Sequence, residues 1–100
     1  MNLQALALKA EEAETFLKSV ANRHRLMILC ELHRGECAVG ELHQRIGLSQ
    51  SSLSQHLARL RTDGLVATRR QSQTIFYSLA SHHVTELIGL MHELYCKEPT

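Results

Sequence analysis

Apolar positions recur at three- and four-residue spacings through most of the chain and change pattern only once, between residues 65 and 79. Leu6, Ala13, Phe16, Leu17 and Val20 share one broad face, which predicts a first helix from Leu3 to Ala21. Asn22 is a good N-cap for a second helix to about Arg34, with Leu26, Ile28, Leu29 and Leu32 apolar and Gly35 ending it. A short third helix, about Val39 to Ile46, places Val39, Leu42 and Ile46 together. Gly47 then breaks the chain, and Ser49 caps a fourth helix whose stripe is Leu53, Leu57 and Leu60. Val66 to Arg70 and Thr74 to Leu79 read as two strands around a turn at Gln71-Ser72-Gln73. Ser81 caps a last helix, about His82 to Tyr95, whose apolar residues cover more than half its circumference. Since a surface helix needs one stripe only, this one is expected to pack on two sides and to share a dimer interface with the first helix.

One hundred residues make a single domain, 1–100, near the size where a partner subunit often helps. No apolar run reaches the roughly 18–20 residues of a membrane span. The start of the chain turns acidic without a basic leader, so a cytoplasmic protein is expected. The only proline, Pro99, lies in the tail and interrupts no element.

Charge adds a direction. The total is +1, but residues 45–79 hold five arginines (Arg45, Arg59, Arg61, Arg69, Arg70) against Asp63, a net +4 that leaves −3 elsewhere. A basic middle in an acidic chain is a weak footprint of a polyanion partner.

Helix, tight glycine turn, helix and basic hairpin follow in the order of a winged helix-turn-helix, mainly α with a small β-hairpin. The helix-turn-helix spans 38–63, the wing 65–79, and the flanking helices 3–21 and 82–96 are left to build the dimer. The outward face of the fourth helix is short and polar, so the backbone can approach a major groove closely. There Gln50 and Gln55 can pair with adenine edges, while Ser51 and Ser54 reach phosphates or bases. His56 adjoins this face. Arg69 and Arg70, with Gln71, are placed to meet phosphate or a narrow minor groove. The competing readings are a helical bundle whose polar face meets only water and a protein-interaction module. No paired carboxylates, phosphate loop or nucleophile-base set supports an enzyme.

The stretch VGELHQRIGLSQSSLSQHLARLRTDGLVATRRQSQTIFYSL resembles the ArsR/SmtB family of winged-helix repressors, and the likeness continues through ANRHRLMILCEL and ELIGLMHELYC. The resemblance implies a homodimer built from the first and last helices, bound to an inverted-repeat operator in double-stranded DNA. It carries base and phosphate contacts onto Gln50, Ser51, Ser54 and Gln55, and wing contacts onto Arg69, Arg70 and Gln71.

Many members of that family sense metals. One of their sites needs cysteines at the start of the third helix, where this chain has Ala38, with Cys37 one residue earlier. A lone cysteine cannot supply three or four soft ligands. The other site falls on Ser81, His83, Leu94 and Lys97, of which only His83 is a suitable ligand. His82 and His92 remain as scattered histidines. No metal or cofactor is therefore expected, a metal-responsive repressor being the alternative. Taken singly, Cys30 and Cys96 read as small buried hydrophobes. Together, in LMILC and ELYC, they resemble the sulfide- and persulfide-responsive, thiol-based branch of the family. That resemblance implies a reversible disulfide or polysulfide bridge from the second helix to the last, formed in response to reactive sulfur or oxygen species. Cys37 lies outside the pair. Some members of that branch are thought to act by displacing another silencer.

Overall fold

The computed structural model describes residues 2–96; Lys97 and Pro99 lie outside the described residues. The helices are α1 (Leu3–Val20), α2 (Arg23–His33), α3 (Val39–Ile46), α4 (Gln50–Thr62) and α5 (His82–Met91). Three of them start on predicted caps. The Asn22 side chain accepts from the backbone N–H groups of His24 and Arg25 at 3.0 and 3.1 Å. Ser49 accepts from the Ser52 N–H at 3.2 Å and Ser81 from that of Val84 at 3.4 Å. Between α3 and α4, Gly47 takes φ +80°, a left-handed conformation that a side chain disfavours. That residue lets the chain turn from α3 into α4 within three residues, 47–49.

The core sits where α2, α3, α4 and α5 converge on the sheet. Ile28, Leu29, Leu42, Leu53, Leu57, Leu60, Val84 and Ile88 are essentially inaccessible to solvent. Each such side chain contributes about 1.5–3 kcal/mol through burial. The stripe at 53, 57 and 60 thus turns the opposite face of α4 outward.

The wing differs from the expected hairpin in one respect. Its strands β2 (Val66–Gln71) and β3 (Thr74–Leu79) are joined by a two-residue turn, with Ser72 at φ 56°. A third strand, β1 (Cys37–Ala38), pairs antiparallel with the other side of β3, giving the order β1-β3-β2. Two residues have no periodicity to read, and this strand exists because β3 offers an open edge.

The last helix also departs from expectation. It runs as α-helix only to Met91, then widens into a π-helical turn, His92–Cys96. Only Val84 and Ile88 of α5 are buried, while Leu90, Leu94 and Tyr95 stay exposed at 52, 60 and 79%. On α1, residues 3–12 are exposed throughout, and contact with the body begins at Ala13 and Phe16. The two-sided packing read from the sequence is thus satisfied on one side within a single chain.

Candidate nucleic-acid interface and thiol pair

The outer face of α4 presents Gln50, Ser51, Ser54 and Gln55, all exposed. Ser51 Oγ shares a 3.3 Å hydrogen bond with Ser49 Oγ at the cap. Gln50, Ser54 and Gln55 have no side-chain partner among the described residues, so their donors and acceptors are available to a ligand. In the wing, Arg70 and Gln71 lie exposed beside the turn, with Arg70 Nε donating to the Ser72 carbonyl at 3.2 Å.

Three residues of the predicted interface are engaged elsewhere: His56, Arg69 and Gln71, whose Oε1 accepts from Arg69 Nη1 at 2.9 Å. His56 is half-buried and turned toward α2. Its Nδ1 lies 3.5 Å from Arg25 Nη1, and its ring sits 5.8 Å from that of His24. One step along α4 from Gln55 rotates a side chain by about 100°, which takes His56 off the open face. Arg69 is held by Glu36 through two 2.7 Å hydrogen bonds, Nε to Oε2 and Nη2 to Oε1.

The role of Arg25 could not be read from the sequence. Its side chain is 9% exposed. Its Nε donates to the Ser19 carbonyl at 2.6 Å and Nη2 to that of Lys18 at 3.3 Å. One guanidinium thereby caps the end of α1 and abuts His56 on α4. Burial, then Arg25, then His24 hold the His56 pKa below the usual histidine value. Around that site stand His24, Arg25, Arg59 and Asp63. The unfolded chain binds a proton at position 56 that the folded chain resists. Stability is therefore lost as pH falls below about 6.5. Thermal melts between pH 7.5 and 5 should show His56→Gln losing less stability on acidification than wild type, since Gln accepts from Arg25 without titrating. Parallel pH profiles for both proteins would contradict this account.

The thiols occupy a different end of α2. Cys30 is half-buried and Cys96 exposed in the π turn; all three cysteines are free. Burial pushes the Cys30 thiol up, and Cys96 and then Glu31 add to the push, so the two thiols lie within electrostatic reach. A cavity of about 340 Å³ opens beside Cys30, lined by Glu31, His33, Arg34, Ile88 and His92. Cys37 is buried in β1 and receives a 3.4 Å contact from Arg45 Nη1. Among the described residues, no group of three or more His, Cys, Asp or Glu side chains is arranged to hold a metal ion. No helix among them is long and apolar enough to cross a membrane.

Known proteins resemble this chain in sequence and fold. Residues 22–68 match the description "Bacterial regulatory protein, arsR family". The transcriptional activator HlyU of Vibrio cholerae serotype O1 is 54% identical over 97% of this chain and 90% of its own. A structure of reduced HlyU from Vibrio cholerae N16961 superposes with a TM-score of 0.90 at 53% identity, covering 95% of this chain and all of the other. The transcriptional repressor BigR from Xylella fastidiosa superposes with a TM-score of 0.90 at 38% identity, covering 98% of this chain and 100% of the other.

Proposed function

The chain belongs to the arsR family of bacterial regulatory proteins, and we propose that it is a thiol-switched regulator reading an inverted-repeat operator as a homodimer. It is a winged helix-turn-helix transcriptional regulator and not an enzyme. In the proposed complex Gln50, Ser51, Ser54 and Gln55 enter the major groove, and Arg70 and Gln71 of the wing meet the backbone or minor groove. The uncovered apolar faces of α1 and α5 join two chains, so two copies of α4 stand about one DNA turn apart.

The observation that carries the switch is that Cys30 on α2 and Cys96 in the π turn after α5 lie within electrostatic reach of each other. A relative whose structure is described as reduced supports a redox-linked reading. With a hydropersulfide RSSH as oxidant, one cysteine thiolate attacks the terminal sulfur, forming a cysteine persulfide and releasing RS⁻. The second thiolate then displaces HS⁻ and leaves a disulfide. Two thiols are oxidised and the transferred sulfur is reduced to hydrosulfide. Such a bridge pins the π turn that follows α5 to α2, and α5 belongs to the proposed dimer interface. It changes DNA affinity to the extent that the bridged geometry stabilises one spacing of the α4 pair over another.

The test is operator affinity of wild type, Cys30→Ser and Cys96→Ser before and after a persulfide donor. Wild type should release DNA and both variants should stay bound, with Cys37→Ser behaving as wild type. Release that survives in both single variants would sink the switch. Mass spectrometry of the treated wild type should show Cys30 linked to Cys96.

A further inference from the structure

The geometry points to Arg69 as the residue that fixes the angle of the wing, with Arg70 as the wing's phosphate ligand. Adjacent arginines on a strand project to opposite faces. Arg69 pairs across the ladder with Phe76, and its guanidinium carbon lies 4.6 Å from the centre of that ring. From there it crosses β3 entirely and reaches Glu36, the residue before β1.

Three of its nitrogens are engaged: Nε and Nη2 by the Glu36 carboxylate at 2.7 Å, and Nη1 by Gln71 Oε1 at 2.9 Å. The bond from Arg69 holds the Glu36 carboxyl below the usual carboxylate range, and Glu36 in turn raises Arg69. An isolated surface ion pair contributes little, but a bidentate fork over an aromatic ring fixes direction. Its two ends lie 33 residues apart, one on β2 and the other on the lead-in to α3. The staple therefore ties the wing to the first helix of the helix-turn-helix.

A phosphate could engage Arg69 fully only by displacing a carboxylate that already neutralises it. Arg70, whose one side-chain hydrogen bond among the described residues goes to the Ser72 carbonyl, has no such competitor among them. Arg69 thus acts through the position of the wing, and Arg70 through its charge.

This inference rests on the DNA-reading function, and the experiment separates the two. A fluorescent duplex enriched by the wild-type protein from a random library is titrated by anisotropy across a range of NaCl concentrations. The variants are Arg70→Gln, Arg69→Gln, Glu36→Gln and the exchange E36R/R69E. Arg70→Gln should lower the salt slope by about 0.9 for each bound protomer, the signature of a lost phosphate contact. Arg69→Gln should leave the slope unchanged while raising Kd roughly fivefold or more when extrapolated to 1 M salt, where bare charge is screened. Glu36→Gln should also weaken binding at that limit, and the charge exchange should recover most of the loss.

A direct phosphate contact predicts the reverse: removing Glu36 frees Arg69 and tightens binding. That result, a slope lost with Arg69→Gln, or an exchange as weak as Arg69→Gln, would overturn the assignment. Unchanged affinity in both Arg69→Gln and Glu36→Gln overturns it as well. A wild-type protein that enriches no duplex overturns the DNA-reading function itself, and the wing assignment with it.

Discussion

Replacing Gln55 by alanine is expected to raise Kd for the operator between roughly 30-fold and 10⁴-fold, with little change in stability. The side chain is exposed and unpartnered among the described residues, so its loss should move folding by no more than about 0.5 kcal/mol. The affinity change is large because a bidentate amide-to-adenine contact contributes about 1–3 kcal/mol, and a symmetric dimer makes it twice. Its character is as informative as its size. A base contact carries sequence information and no charge, so binding to an unrelated duplex and the salt slope should both stay as in wild type. Equal weakening on cognate and unrelated DNA would show that Gln55 does not read a base.

Leu57→Ala, two residues further along α4, should do the opposite. Leu57 is completely buried in the stripe that seats α4 on the core. Truncating such a leucine costs about 2–5 kcal/mol. In a domain this small that lowers Tm by roughly 10–30 °C. Differential scanning calorimetry checks the prediction, and a drop under about 5 °C would contradict the packing described for the stripe. The fraction that stays folded should keep its preference for cognate over unrelated DNA. On the proposed reading one helix separates the two demands: its inner face decides whether the domain stands, its outer face what it binds.

The buried and exposed faces of α4 were legible in the sequence because they are a local property. Leucines at 53, 57 and 60, a glycine at 47 and a serine cap at 49 fix an element, its start and its buried side without reference to anything distant. The apolar residues left uncovered on α1 and after α5 were visible for the same reason, as an excess of apolar positions on the first and last helices. What the chain concealed depends on pairs far apart in sequence or on very short segments. Arg69 looked like a free basic residue until its partner at Glu36 came into view. His56 sits beside Gln55 in the chain, and only the position of Arg25 shows that it faces inward. The strand at Cys37–Ala38 follows from the open edge of β3, and the π turn at His92–Cys96 interrupts a helical pattern that continues unbroken in the sequence.

The exposed start of α1 has a spectroscopic consequence. Residues 3–12 are exposed throughout, and a helical segment that short has marginal stability in water on its own. In the proposed dimer a second chain covers these turns, so ellipticity at 222 nm should depend on protein concentration. Dilution then removes helix before it unfolds the core, and a melt followed by circular dichroism begins earlier than one followed by a probe in the leucine stripe.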